Sequence, residues 1–118
     1  MKTALLVDDS SFMRELIEKM LRHHGVTVIG EAENGKAGVE KYKELKPDIV
    51  VLDIMMDEMT GSEALRQIME FDPGAKVVVL SSVTGQKPVT DEVTSLGAKA
   101  VLVKPPDLKS IEAALASL

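Results

Sequence analysis

The chain has no cysteine and no tryptophan among its 118 residues. Disulfides, thiol nucleophiles and thiolate-held metals are therefore excluded. One tyrosine and two phenylalanines are the whole aromatic complement, which leaves little material for sandwiching a planar cofactor. No lysine or arginine run forms a stripe that could track a phosphate backbone, and the net charge is −5 with a pI near 5.0. That balance argues against direct nucleic-acid binding. No apolar run approaches the length of a membrane span, and no charged-then-apolar leader precedes the first strand. The expectation is a cytoplasmic protein without membrane insertion. The two histidines, His23 and His24, are adjacent. They close a helical stretch, where they suit the helix C-terminal dipole better than a metal.

What is present is a regular alternation over residues 1–118, read as one domain. Short aliphatic runs predict strands at 4–7, 26–32, 48–54, 76–81 and 100–104. Consecutive apolar positions mark strands buried on both faces, whereas the more polar second run belongs near an edge. Helical spacing appears between them. Phe12, Met13, Leu16, Ile17, Met20 and Leu21 form the first stripe, with Ser10 or Ser11 as N-cap and Gly25 as stop. Val39, Tyr42 and Leu45 mark a second helix, opened near Asn34-Gly35 and closed before Pro47. Ala64, Leu65, Ile68 and Met69 mark a third, capped near Ser62 and ended by Asp72-Pro73. Val89, Val93 and Leu96 mark a fourth, ended by Gly97, whose valines and threonines are poor helix formers. It should be short, mobile or held by packing. Leu108, Ile111, Leu115 and Leu118 mark the fifth, with Asp107 as N-cap. Alternating β and α elements predict an α/β fold, a doubly wound (βα)5 unit with a five-stranded parallel sheet of order 2-1-3-4-5.

In such a sheet the ligand site lies beyond the carboxyl ends of the strands. Those ends carry Asp8 and Asp9, Asp53, Ser81 and Lys104. Taken singly, each has an ordinary explanation. The aspartate pair suits a turn, the serine is a strand-end hydroxyl, and the lysine is a solvated charge. Asp53 resists that explanation, because VVLDIMM is otherwise apolar and an unpaired buried carboxylate is costly. Their joint occurrence at successive strand ends points to a site. Three carboxylates at close range need a cation or protons. With no histidine or cysteine among them, a hard ion such as Mg2+, or Mn2+ in its place, fits better than zinc. A carboxylate beside such an ion can also act as a nucleophile toward phosphorus, with Ser81 as donor and Lys104 as counter-charge.

VDDSSFMR, DIMMDEMTG, VVVLSS and VLVKPP, in this order and spacing, resemble the receiver domain of two-component response regulators. EAENGKAGVEKYKELKPD is similar to the second-helix region of chemotaxis regulators of the CheY type. The resemblance covers essentially the whole chain. It implies that Asp53 is the phosphoacceptor and that Asp9, Asp53 and the backbone carbonyl of Met55 ligate Mg2+, with Asp8 acting mainly through water. It implies that Ser81 is the switch hydroxyl and that Lys104 pairs with the phosphoryl group, the Lys104-Pro105 bond being cis. The phosphoryl donor is then a sensor histidine kinase, a phosphotransfer protein or a small phosphodonor. The receiver itself catalyses the transfer and its later hydrolysis. A downstream target is expected to read the fourth helix, fifth strand and fifth helix.

The chain also departs from the family. Asp57 stands where proline is usual, Val101 where an aromatic often reports the switch, and Pro106 where phenylalanine is common. Met55 and Val83 are apolar at positions that flank the hydrolytic water, which implies slow self-dephosphorylation. The chain ends with its fifth helix, as in a stand-alone chemotaxis or phosphorelay regulator. The SSVT segment equally resembles receivers joined to chemotaxis methylesterases. Two other classes compete with a phosphorylated switch. A flavodoxin-type carrier needs a hydroxyl-rich loop in place of Asp8-Asp9 and more aromatics. A phosphorylation-independent interaction module draws support from Asp57 and Val101.

Overall fold

The computed structural model describes residues 2–54, 60–81 and 87–118, the side chains of 87–90 apart. Among the described residues ten elements follow one another: β1 (Lys2–Val7), α1 (Ser11–His23), β2 (Val26–Ala32), α2 (Gly35–Leu45), β3 (Ile49–Asp53), α3 (Gly61–Phe71), β4 (Val77–Ser81), α4 (Lys87–Ser95), β5 (Ala100–Val103) and α5 (Leu108–Ala116). The strands form one parallel sheet in the order β2-β1-β3-β4-β5, as predicted.

Strand periodicity divides the core into two layers. Leu5, Val7, Val50, Leu52, Val77 and Val79 face one side, where Val39, Tyr42, Leu65, Ile68 and Val93 of α2, α3 and α4 cover them. Ala4, Leu6, Ile49, Val51 and Leu80 face the other, under Ile17 and Leu21 of α1 and Ile111 of α5. Alternate residues of β1 and β3 thus serve opposite layers, which is why their ALLV and IVVL runs are apolar at consecutive positions. The more polar β2 is an edge strand. β5 is the other edge. Its AVLV run reads like a central strand, yet Val103 is exposed.

The helix starts follow local capping chemistry. The side chains of Ser10, Asn34, Thr60 and Asp107 each accept a hydrogen bond from the backbone amide three residues on. Ser10 and Asp107 are the predicted caps. Thr60 corrects the expected Ser62, which lies inside the first turn of α3. The cause is tertiary. The Gly61 amide donates to the carbonyl of Ile54 at 3.0 Å, and this pins the helix start against the end of β3. Gly25 ends α1 with φ 79°, a conformation that suits glycine. Phe12 corrects the first stripe. It lies outside the packed face and is 73% exposed, while Met13, Ile17, Met20 and Leu21 make the contacts. Leu108 is likewise exposed, leaving Ile111, Ala114 and Leu115 to seat α5. α4 spans nine residues, and Val93 is fully buried, so packing does hold it.

Tyr42 ties α2 to the end of α3. Its hydroxyl donates to Asp72 Oδ2 at 2.7 Å, and its ring is buried. Burial, then the hydrogen bond and charge of Asp72, push the phenol above its ordinary value of 10.0. The folded protein therefore holds this proton where the unfolded chain releases it. The associated stability is fully present below pH 10.0 and is lost as pH rises beyond it. Because this is the sole tyrosine, tyrosinate absorbance reports it directly. In the folded protein the absorbance should rise only above the ordinary tyrosine range, together with unfolding. Tyr42→Phe should flatten the alkaline slope, leaving the part due to Lys104. A native midpoint at the ordinary tyrosine value would refute this.

Candidate functional site

Two strand ends, those of β1 and β3, deliver the acidic residues to one place. The Asp8 amide donates to Ala32 at 3.0 Å and so extends the pairing of β1 with β2. Asp8 Oδ1 then accepts from the Ser10 amide at 2.9 Å, turning the chain sharply into the cap of α1. This turn buries Asp8 and leaves Asp9 exposed. Asp53 is the last residue of β3 and is also buried. Beyond it, the Ile54 amide donates to Leu80 at 3.0 Å, and the Lys104 amide donates to Ser81 at 2.8 Å. The strands therefore stay in register up to the residues with chemistry. Ser81 closes β4 one residue past Leu80, the register partner of Asp53, and is buried.

Lys104 reaches across the sheet edge from the end of β5. Its Nζ lies 2.9 Å from Asp8 Oδ2 and 3.0 Å from Asp53 Oδ2. The second contact is an aligned hydrogen bond, and the first is a coulombic contact. Burial alone would pull the ammonium's pKa down. Its close polar contacts with Asp8 and Asp53, and its attraction to their charges, outweigh that and hold it above the usual lysine value. The Lys104-Pro105 peptide is cis, as expected.

Asp8, Asp9 and Asp53 each present a carboxylate oxygen, and all three lie within 4.8 Å of one another. Among the described residues, three carboxylates against one ammonium leave two formal negative charges in excess at a partly buried point. The donors are oxygens, with no histidine or cysteine among them, so they fit a hard divalent cation such as Mg2+ or Mn2+. Met55, Asp57 and Val83 lie outside the described residues. Val101 is half-buried against the layer under α2, α3 and α4, and Pro106 is buried.

Two residues given no role from the sequence belong to this architecture. Arg14 donates from Nη1 to the carbonyl oxygen of Asp8 at 2.6 Å and from Nε to Glu31 at 2.9 Å. The signal for it was its position. A cation in the first turn of a helix opposes the dipole, so it needs a local reason. Gly61 is the second, at its close approach to the end of β3.

This geometry has known counterparts. Residues 4–116 match the family model of the response regulator receiver domain. The chain belongs to that family, and among its curated relatives chemotaxis regulators are prominent. It is 49% identical to chemotaxis protein CheY of Thermotoga maritima over 104 residues, covering 88% of this chain and 86% of that one. It is 46% identical to the protein-glutamate methylesterase/protein-glutamine glutaminase of Bacillus licheniformis, covering 92% of this chain but 30% of that one. In the crystal structure of the CheX-CheY-BeF3-Mg+2 complex from Borrelia burgdorferi, a chain 35% identical superposes with a TM-score of 0.93 over 98% of this chain and 87% of that one. Among the described residues no helix is long and apolar enough to cross a membrane.

Proposed function

We propose that the chain is a cytoplasmic phosphorylation switch of a two-component system in which Asp53 accepts the phosphoryl group. The carrying observation is the Lys104 ammonium bridging two buried carboxylates within an acidic triad. The donor is the phosphohistidine of a sensor kinase or phosphotransfer protein, or a small phosphodonor. An Asp53 carboxylate oxygen forms the new O–P bond while the P–N bond breaks and its electron pair stays on the imidazole. Asp8, Asp9, Asp53 and the Met55 carbonyl are the groups to hold Mg2+, which when bound neutralises phosphoryl oxygens. Lys104 transfers its hydrogen bond from Asp53 to a phosphoryl oxygen, and the Ser81 hydroxyl donates to another. The same residues support later hydrolysis by water.

The added phosphoryl carries roughly two negative charges and strong acceptors at the sheet edge. Drawing Ser81 toward it shifts the balance of two states, and the face of α4, β5 and α5 reports the shift to a target protein. Near-complete coverage of CheY relatives supports an output of the CheY kind through protein contacts. The partner in the Borrelia complex, CheX, supports the existence of a docking protein. The methylesterase match supports a second reading, in which the same switch controls an attached enzyme.

Intact mass after incubation with acetyl phosphate tests the core of this. A gain of one phosphoryl group is expected with Mg2+, and none is expected without Mg2+ or in Asp53→Asn. Failure of labelling by both acetyl phosphate and a phosphorylated kinase would shift the assignment to a phosphorylation-independent interaction module.

A further inference from the structure

The three carboxylates are anchored unequally. Asp8 is held by the Ser10 amide and Lys104, and Asp53 by Lys104. Asp9 is exposed, so its place in the triad depends on the backbone that carries it. The peptide joining Asp8 to Asp9 has its carbonyl oxygen on Arg14 Nη1 at 2.6 Å. The same guanidinium holds Glu31 through Nε at 2.9 Å, and Glu31 precedes Ala32, whose carbonyl takes the Asp8 amide. Arg14 thus closes a frame from β2 to both peptide planes flanking Asp8. It does so although α1 has no acidic residue in its first turn to balance it, and although a cation there opposes the helix dipole.

We propose that Arg14 is a positioning residue for the acidic triad, fixing the Asp8-Asp9 peptide and through it the Asp9 carboxylate for a divalent cation. This rests on the reading that the triad holds such a cation. The planar fork is the operative feature, because one nitrogen must point at a backbone carbonyl while another meets a carboxylate. A lysine ammonium lacks that fixed angle.

The sign of the effect separates positioning from charge. As a mere nearby positive charge, Arg14 would repel a cation, and its removal would tighten binding. As a positioning residue, its removal weakens binding. Calorimetric titration with Mg2+ of wild type, Arg14→Ala and Arg14→Lys decides between them. The expected result is a Kd raised about tenfold in Arg14→Ala, with no rescue by Arg14→Lys, in the range of outer-shell changes at metal sites. The Mg2+ concentration giving half-maximal labelling by acetyl phosphate should rise by the same factor. Arg14→Met, which keeps an apolar stem but removes the planar fork and the charge, should raise Kd in the same way, and it serves if Arg14→Ala fails to fold. Equal Kd values in all variants, tighter binding in Arg14→Ala, or full rescue by lysine would overturn the proposal. A wild-type protein that binds no Mg2+ would instead remove the cation-site reading beneath it.

Discussion

Gly61→Ala should lower stability by about 3 kcal/mol, a large value for one methyl group. A Cβ built there falls 2.3 Å from Ile54 Cα and 2.4 Å from the Asp53 carbonyl oxygen. Both are backbone atoms, so no rotamer change relieves the contact. Neither side can move cheaply. Ile54 is bonded to Leu80 across the ladder, and α3 is seated by Ala64, Leu65 and Ile68, all essentially inaccessible. The melting temperature should fall by roughly 10 °C, taking about 4 °C per kcal/mol for a domain of this size. Asp53 contributes one of the crowded atoms, so Mg2+-dependent labelling should fall even where the variant is folded. Gly74→Ala is the control. Its Cβ would meet only Asp72 Oδ1 at 3.4 Å, an ordinary contact, and it should melt close to wild type. Thermal melts and intact-mass labelling of both variants settle the matter. A Gly61→Ala protein as stable as Gly74→Ala would show that the close approach carries no energetic weight.

Gly61 also marks the boundary of what was legible beforehand. Strand positions and the gathering of Asp8, Asp53, Ser81 and Lys104 followed from hydrophobic period and alternation, because each strand ends where its apolar run meets a polar residue, and the strand order is the common solution for five such strands. Cap choice at α3 did not follow. Thr60 and Ser62 are both good N-caps, and the choice is made by the Gly61 contact with Ile54, which no local pattern encodes. Phe12 shows the same limit on a helix. A stripe of apolar residues gives the buried arc but not its edges, and Phe12 falls outside it. β5 shows it on the sheet, where the predicted order placed it at an edge but its apolar run gave no sign that Val103 would be exposed. Within the site, residue types gave the carboxylates, the hydroxyl and the ammonium. They did not give the double contact of Lys104 or the frame through Arg14, since both depend on where long side chains end up.

Lys104→Met should separate the two tasks proposed for this one ammonium. In the metal-free protein Lys104 offsets the repulsion between Asp8 and Asp53, whose side chains are each 2% exposed. Removing one partner of a buried ion pair costs about 3–5 kcal/mol. Here about 2 kcal/mol is expected, because Lys104 is itself partly exposed and Asp8 keeps its bond from the Ser10 amide. The loss should shrink on adding Mg2+, since a divalent cation takes over the neutralising task. The increment of stability from a given Mg2+ concentration should therefore be larger in the variant than in wild type, following RT ln(1 + [L]/Kd) with a smaller Kd. Phosphoryl transfer should behave in the opposite way. An ammonium aimed at a developing phosphoryl charge is not replaced by a cation already engaged with the carboxylates, so labelling of Asp53 should fall roughly 100-fold even at saturating Mg2+. Chemical denaturation with and without Mg2+, run beside acetyl-phosphate labelling, gives both readouts on one preparation. Equal Mg2+ increments in variant and wild type would deny the counter-ion role. Undiminished labelling would deny the catalytic one, and the two results are independent because the first concerns the ground state and the second the transition state.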